Sequence, residues 1–401
     1  MTTKTDARGI ATTHAYDALH RLTGKTYSNG DPTISYFYDQ TSYNGLTITN
    51  GKGRRTGMSD SSGATAWSYD TGGAITVERR TIGGVTKTIS YEYNLDGSLK
   101  KLTYPSGREV TYAYDAAARP LSAVDQLNGI NYAQSAAYAP HGALSSIALG
   151  AGAGFAGINL NSTFNKRLQP QTITAWSTNG VVLDLSYDFN LGVANNGTLK
   201  QMANLRASNR TQNFTYDELN RVRTAESQAA SGADCWGLQF GYDIWGNMLS
   251  SQVTRCWAPM LSQNVNAQNR LVGYSYDAAG NMLNDGVFAY TWDAESRIKT
   301  SAGVTYTYDG DGERVAKSTG KLYWAGGGSD PLAESDAAGN ITDEFIFFGG
   351  KRIARRDASG NVYYFLADHV GTARVMTNAT GVIVQESDHY PFGGERVIVN
   401  T

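Results

Sequence analysis

The sequence predicts an all-β fold in which antiparallel β-hairpin repeats continue into one spiralling, curved sheet. Its composition is the first observation: 401 residues include 25 Tyr and 45 Gly, with only 17% charged residues, as is typical of strands joined by tight turns. The second is that nine tyrosines are followed directly by aspartate. The third is that aromatic residues of these motifs recur at equal steps late in the chain, 16 residues from Tyr276 to Trp292 and 16 from Trp292 to Tyr308, which indicates a repeat architecture.

Four Tyr–Asp pairs, at Tyr16, Tyr216, Tyr242 and Tyr276, and the variant at Trp292 share a full seven-residue frame: an aromatic residue, Asp, two variable residues, a small or turn-forming residue, Arg or Asn, and an apolar residue. Other repeats are identified by their aromatic and Asp residues alone. The Asp carboxylate can accept backbone N–H groups two residues on, which opens a turn. Gly or Asn at the fifth position supplies a positive φ. The frame residues are Tyr16, Asp17, Tyr69, Asp70, Tyr114, Asp115, Tyr216, Asp217, Arg221, Tyr242, Asp243, Tyr276, Asp277, Gly280, Trp292, Asp293, Tyr308 and Asp309.

Late frames lose the aromatic residue but keep the spacing, because Gly339, Gly360 and Gly381 follow one another in steps of 21 residues. A period near 21, less about five turn residues, leaves two arms of about eight residues, or ~26 Å each. The repeat unit is therefore a β-hairpin. A single hairpin is marginal in water and must bury one face against its neighbours.

These frames resemble the YD repeats of the Rhs (rearrangement hot spot) family, and the resemblance runs from about Tyr16 to Glu395. Two late motifs are similar to the opening of the Rhs-associated core segment. Their residues are Asp368, His369, Gly371, Arg374, Tyr390, Pro391, Phe392 and Gly393. We therefore expect a hairpin array over 1–367, with an irregularity near 148–157, and the start of the core segment over 368–401.

The resemblance implies a shell that encloses a C-terminal toxin, which an aspartyl-protease-like core segment cuts free. The sequence lacks the later elements of that segment and resembles a shell region truncated at both ends. We therefore expect a non-enzymatic scaffold, whose partners are the remaining shell segments and a toxin cargo. The resemblance also implies a secreted or cell-surface location in bacteria, by a route that the chain does not encode.

Charge and motif content exclude several other classes. A net charge of −2 leaves no basic footprint for nucleic acid, and no stretch approaches the roughly 18 apolar residues of a membrane span. The sequence has no phosphate-binding loop, no nucleophile elbow and no His-Glu-x-x-His zinc motif. We expect no cofactor. One alternative function stays open, a cell-surface adhesion or carbohydrate-binding array, because the same Tyr, Trp, Asn and Asp side chains could bind sugars.

Two residue pairs are candidates for contacts across a hairpin. His369 and His389 lie symmetrically about Ala379, so they could face each other and bind a metal; the favoured alternative is a structural motif residue and a solvated strand residue. Cys235 and Cys256 lie symmetrically about a frame turn, and directly opposed residues are within disulfide range. Two free buried thiols are the favoured alternative if the protein folds in the cytosol.

Overall fold

The computed structural model describes residues 2–192, 194–326 and 330–401, and regular structure in these ranges is almost entirely β-strand. The first strands are β1 (Thr3–Thr5), β2 (Ala11–Tyr16), β3 (Leu22–Tyr27), β4 (Ile34–Tyr38), β5 (Ser42–Tyr43), β6 (Leu46–Thr47), β7 (Arg55–Asp60), β8 (Gly63–Tyr69), β9 (Ile75–Ile82), β10 (Val85–Tyr93), β11 (Leu99–Thr103), β12 (Glu109–Tyr114), β13 (Pro120–Asp125), β14 (Ile130–Tyr138), β15 (Leu144–Leu149), β16 (Ile158–Phe164), β17 (Pro170–Ser177), β18 (Gly180–Asp188) and β19 (Gln201–Asn204).

The chain continues with β20 (Gln212–Tyr216), β21 (Val222–Ser227), β22 (Trp236–Tyr242), β23 (Met248–Cys256), β24 (Leu261–Ser262), β25 (Ser275–Tyr276), β26 (Met282–Asn284), β27 (Tyr290–Trp292), β28 (Ile298–Ser301), β29 (Val304–Tyr308), β30 (Arg314–Lys317), β31 (Lys321–Ala325), β32 (Pro331–Ser335), β33 (Ile341–Phe348), β34 (Lys351–Asp357), β35 (Val362–Ala367), β36 (Ala373–Asn378), β37 (Ile383–His389) and β38 (Glu395–Asn400). Short 3-10 helices occupy Ser208–Arg210 and Pro391–Gly393. Among the described residues no helix is long and apolar enough to cross a membrane.

The chain divides into two compact units. Unit 1 consists of Met1–Tyr112, Gly273–Ile346 and Arg356–Gly360, and unit 2 of Ala113–Val272, Phe347–Arg355 and Asn361–Thr401. Within each unit, strands that follow one another in sequence pair antiparallel, as in β7 to β11 of unit 1 and β15 to β24 of unit 2. The predicted all-β class of antiparallel hairpin repeats is confirmed.

The frame turns share one hydrogen-bonding pattern. In the turn between β20 and β21, Asp217 Oδ1 accepts the N–H groups of Leu219 and Arg221 at 3.0 and 2.9 Å, and Oδ2 accepts Arg221 Nε at 2.7 Å. Asn220 has a φ of 60°, a conformation that Asn tolerates better than most residues. Both backbone contacts recur at Asp17, Asp115, Asp243, Asp293, Asp309, Asp336 and Asp368.

A β-bulge lies beside the aromatic residue of the frame. Tyr216 pairs with Val222, whereas its neighbour Thr215 pairs with Thr224, so one residue of the returning strand has no opposite partner. The aromatic residue therefore faces the apolar seventh residue across the turn, and the bulge increases the local twist. The same shift occurs at Tyr16, Tyr38, Tyr69, Tyr93, Tyr242, Tyr276, Trp292 and Tyr308.

Successive frames are joined by a contact that we call the frame clasp. The Tyr242 hydroxyl donates to the backbone carbonyl of Val222, the seventh residue of the preceding frame, at 2.8 Å. The Arg221 guanidinium, held by Asp217, lies 4.7 Å from the centre of the Tyr242 ring, within cation–π range. Equivalent clasps combine Tyr38 with Arg21, Tyr138 with Arg119, and Tyr308 with Arg297.

Each unit has its own apolar clusters. In unit 1 one cluster contains Ile34, Tyr36, Met58, Trp67 and Tyr69, and another contains Ile82, Val315, Leu322, Trp324 and Ala333. In unit 2 a cluster contains Ala225, Trp236, Leu238, Phe240, Ala258 and Tyr390. Most frame aromatics are only half-buried, and Tyr16 is 43% exposed. Large rings elsewhere on the strands, such as Trp236 and Trp324, are fully buried instead.

The segment predicted to be irregular, near 148–157, is the loop between β15 and β16. Gly150 has a φ of 71° in this loop. A Cβ atom there would lie 2.8 Å from the Tyr364 ring, closer than real Cβ contacts allow. The close approach of the loop backbone to this ring therefore requires glycine at position 150.

The frame clasp predicts a graded response to substitution at Tyr242. The Tyr242→Phe variant keeps the ring beneath Arg221 but leaves the Val222 carbonyl without its donor, so we expect a loss of about 1 kcal/mol in the free energy of unfolding. The Tyr242→Ala variant also removes the ring and should lose at least about 2 kcal/mol. Urea denaturation measures both, and unchanged stability in the Phe variant would contradict the clasp.

Candidate functional site

The Asp-His-Val-Gly-Thr-Ala-Arg motif forms the turn between β35 and β36 in unit 2. Asp368 Oδ1 accepts the N–H groups of Val370 and Thr372 at 3.1 and 3.0 Å, and Gly371 has a φ of 90°. The His369 N–H donates to the Tyr187 hydroxyl at 3.1 Å, and the two rings are 4.5 Å apart. Burial lowers the pKa of His369. Asp368 thus stabilises the turn of this motif, and His369 packs it against the end of β18.

Below this turn lies a buried ionic cluster formed by Arg206, Arg210, Arg374, Glu386 and Asp388. Arg210 donates to both Asp388 oxygens at 2.7 and 2.9 Å, and to Glu386 at 2.6 Å. Arg206 reaches Glu386 at 3.0 Å, and Arg374 also donates to Asp388. Asp388 is 0% exposed and Arg374 is 5% exposed. The cluster therefore ties β36 and β37 to the short helix at Ser208–Arg210.

The cluster holds the Asp388 carboxylate in its charged form. Burial of Asp388 opposes ionisation, but the hydrogen bond from Arg210 and the charge of Arg374 outweigh it, and the pKa of Asp388 is lowered. Burial works against the charge of Arg210 as well, yet its bond to Asp388 raises the pKa of that guanidinium. Both Asp388 oxygens accept from arginine, so this arrangement serves to fix strands rather than to transfer protons.

The Tyr-Pro-Phe-Gly motif packs on unit 2 through its two aromatic rings. Tyr390 is 8% exposed and meets Trp236 edge to face, with ring centres 5.1 Å apart. Phe392 meets Phe240 in the same way at 5.1 Å. Pro391 begins the short helix, and Gly393 has a φ of 101° in it.

The two candidate histidines are not strand partners. His389 ends β37 and pairs with Glu395 of β38, whereas His369 lies in the turn before β36 begins at Ala373. The hairpin centred near Ala379 is thus too short to include His369. Across the described ranges, no group of three or more His, Cys, Asp or Glu side chains could hold a metal ion. The predicted pairing across the hairpin is therefore wrong.

Cys235 and Cys256 are joined by a disulfide with their Cα atoms 5.8 Å apart. They are not directly opposed, because Cys256 pairs with Trp236 and a bulge lies between Gly237 and Leu238.

Of the glycines singled out in the sequence, Gly280, Gly339, Gly360 and Gly381 occupy the left-handed position of frame turns, with φ between 79° and 91°.

A cavity of about 290 Å³ lies within unit 1. Tyr27, Tyr306 and Thr307 are part of its lining. Two of its carboxylates are ion-paired as follows: Asp31 accepts Lys299 Nζ at 3.0 Å and the N–H of Ala294 at 2.7 Å, and Glu295 accepts Lys25 Nζ at 2.7 Å. The cavity thus combines tyrosines with carboxylates and basic side chains.

The two late motifs were predicted from the sequence, but the carboxylates of the ionic cluster, including Asp388 that binds Arg374 of the first motif, were not. Glu386 and Asp388 alternate along β37, and acidic residues at i and i+2 share one face of a strand. The spacing of Glu386 and Asp388 could therefore have predicted a pair of carboxylates on one face of β37. Arg206 and Arg210 carried no comparable signal, because only the folded chain brings them to β37.

The ionic cluster predicts a pH-dependent effect of the Asp388→Asn variant. At neutral pH, loss of this charge leaves buried arginines unneutralised and should cost about 3–5 kcal/mol in the free energy of unfolding. Because the folded pKa of Asp388 lies below its ordinary value of 3.8, its contribution is present above that value and is lost as pH falls through the folded pKa.

Urea denaturation from pH 7 to strongly acidic pH measures this effect. The difference in the free energy of unfolding between wild type and the Asp388→Asn variant should shrink below about pH 4. The Glu218→Gln variant is the control, because Glu218 is exposed at a turn tip and its charge should matter little. A difference that stays constant with pH would contradict ionic pairing at Asp388.

Solved structures resemble this chain over its whole length. The crystal structure of TcdB2-TccC3 without its hypervariable C-terminal region aligns with 100% of the chain at 15% identity and a TM-score of 0.80, and 24% of that chain is covered. The Photorhabdus luminescens Tc holotoxin pore with the TccC3-D651A mutation aligns with 98% of this chain at 15% identity and a TM-score of 0.77, covering 23% of that chain. At such identities the likeness shows the fold alone.

Curated relatives match a smaller part of the chain. The tRNA nuclease WapA of Bacillus subtilis strain 168 is 26% identical over 173 residues, which is 39% of this chain and 7% of WapA. The tRNA(Glu)-specific nuclease WapA of Bacillus subtilis subsp. natto is 29% identical over 130 residues, or 30% of this chain and 6% of that protein. The chain therefore spans less than a tenth of these relatives.

Two family models match the chain directly. The RHS Repeat model matches residues 1–32. The Teneurin YD-shell model matches residues 59–323, which is more than half of the 401 residues. The predicted recognition of Rhs-type YD repeats is confirmed, and the chain belongs to the Teneurin YD-shell family.

Proposed function

We propose that this chain is a non-enzymatic wall segment of a toxin-type shell, and that the wall encloses or presents a C-terminal toxin cargo. The frame clasp is the observation that carries the proposal. Each clasp joins one hairpin to the next through a backbone carbonyl, as Tyr242 does with Val222. A series of such contacts suits a continuous wall, since each clasped hairpin is held by its neighbour.

The structural use of the carboxylates supports a scaffold role. The frame aspartates accept backbone N–H groups within their own turns, as Asp243 and Asp293 do. Asp388 and Glu386 are bound by buried arginines. Carboxylates held in this way are poorly suited to accept a proton from a substrate. The nuclease names of WapA belong to proteins of which this chain matches less than a tenth.

The proposed partners are further shell segments and the cargo, and the proposed location is secreted or at the bacterial cell surface. The disulfide between Cys235 and Cys256 supports this location, because such bridges persist in oxidising compartments. Toxin-shell proteins are among the relatives in fold.

A protection assay tests the cargo role. An unstructured reporter peptide is fused after Thr401, and its digestion by a nonspecific protease is followed over time. If the wall shields the segment that follows it, the reporter should be digested at least about tenfold more slowly than the free peptide, since cleavage tracks exposure. The same peptide fused at the N-terminus is the matched control. Equal digestion of the C-terminal fusion and the free peptide would contradict shielding.

The unit 1 cavity favours a second candidate function, carbohydrate binding. Sugars present apolar ring faces that pack on aromatic side chains and hydroxyls that need polar partners. Tyr27, Tyr306 and Thr307 line the cavity, and Asp31, which is paired with Lys299, supplies carboxylate oxygens that can accept sugar hydroxyl groups. A neutral, hydroxylated ring is the ligand that this lining would accept.

Saturation-transfer NMR with glucose, galactose and N-acetylglucosamine tests the second candidate. Binding at millimolar concentration should be lost in the Tyr306→Ala variant. It should persist in Phe288→Ala, which removes an aromatic ring that is 45% exposed in unit 1 and does not line the cavity. No transfer to any of the three sugars would contradict sugar binding at this cavity.

A further inference from the structure

The disulfide lies at the end of a loop made of small, exposed residues. Cys235 is 4% exposed and ends the segment between β21 and β22. Ala230–Ala233 are exposed, and Gly232 has a φ of 79°. Small residues and glycine have high conformational freedom in a chain that is not tied down. The bond to Cys256 therefore supplies a constraint that the loop sequence itself does not.

The residues on both sides of Cys235 hold the C-terminal part of unit 2. Arg396 of β38 donates to the Ala233 carbonyl at 2.7 Å and lies 3.5 Å from Asp234. On the other side, Trp236 packs edge to face on Tyr390 at 5.1 Å. The disulfide thus sits between two contacts to the same late segment.

Access to the two sulfur-bearing residues is unequal. Cys256 is an exposed residue at the end of β23, followed by the 74% exposed Trp257, whereas Cys235 is buried. An external thiolate therefore reaches the bridge from the Cys256 side. Exposed disulfides are the ones that exchange readily with thiols.

We infer that the Cys235–Cys256 disulfide is a thiol-sensitive latch that holds the Tyr390–Arg396 segment against the rest of unit 2. A small-molecule thiol, as its thiolate, attacks Cys256 Sγ, and Cys235 leaves as a thiolate that takes up a proton. A second thiol then attacks the mixed disulfide, which releases Cys256 as a thiol and an oxidised disulfide of the small molecule. Two external thiols are oxidised, and one protein disulfide becomes two thiols.

Opening the latch frees the loop before Trp236, and both contacts to the late segment weaken together. A wall segment built in an oxidising compartment would therefore loosen its C-terminal edge on entering a reducing one. The latch does not depend on the cargo role, and its failure would leave the proposed shell function untouched.

Hydrogen–deuterium exchange on the purified chain, with and without an excess of 2-mercaptoethanol, tests the latch. After reduction, amide exchange in peptides covering 387–401 should become at least about tenfold faster, given the stabilisation typical of one disulfide. Amide exchange in peptides covering β16 and β17 of the same unit should be unaffected, because these two strands are distant in sequence from Cys235 and Cys256.

The Cys235→Ser/Cys256→Ser double variant is the matched control. It should show fast exchange over 387–401 with or without reductant, which assigns the response to this bridge. Three results would each overturn the latch: two titratable thiols in the air-oxidised protein, unchanged exchange over 387–401 after reduction, or an equal increase in the β16 and β17 peptides.

Discussion

The contact between an arginine of one frame and the aromatic ring of the next organises this chain. An isolated hairpin has too little apolar area to be stable in water, so each repeat needs a directional bond to its neighbour. Arg221 supplies one, because Asp217 holds its guanidinium while the Tyr242 ring packs beneath it. The Tyr242 hydroxyl then binds the Val222 carbonyl. One aspartate therefore shapes its own turn and positions the residue that joins the next hairpin.

This arrangement explains why the frame needs both a ring and a hydroxyl. The frame aromatics are mostly half-buried rather than enclosed, so burial of area alone would be a weak reason for their recurrence. A ring that also donates to a backbone carbonyl satisfies a polar group at the bulge, where ladder pairing is interrupted. Trp292 serves the same purpose with its indole N–H, which donates to the Met282 carbonyl at 2.7 Å.

The late part of unit 2 is held by a different kind of bond. There, buried charges replace the half-exposed clasp, and Asp388 accepts from Arg210 and Arg374 in a site closed to water. Buried ion pairs contribute little net stability compared with apolar packing, but they are costly to break and therefore specify one arrangement. The aromatic contact of Tyr390 with Trp236 adds apolar area beside them.

The repeat can be predicted from the amino-acid sequence because a hairpin forms between residues that are close along the chain. Turn-forming Asp, a positive φ at the fifth position and a paired aromatic and apolar residue all lie within seven residues, so their pairing follows from chain geometry. Tyr216 opposite Val222 is an example. The same local reasoning brought Cys235 near Cys256, although a bulge shifted the register by one residue.

Contacts between residues that are distant along the chain could not be predicted in this way. His369 and His389 looked symmetric in sequence, but a second turn begins at Asp368 and leaves His369 outside the strand ladder. Arg210 reaches Asp388 across 178 positions of sequence, and no local pattern encodes a contact of that separation. Such contacts depend on how successive bulges twist the hairpins and on the close packing of buried side chains. The twist accumulates over many repeats, so the sequence of one repeat does not determine it.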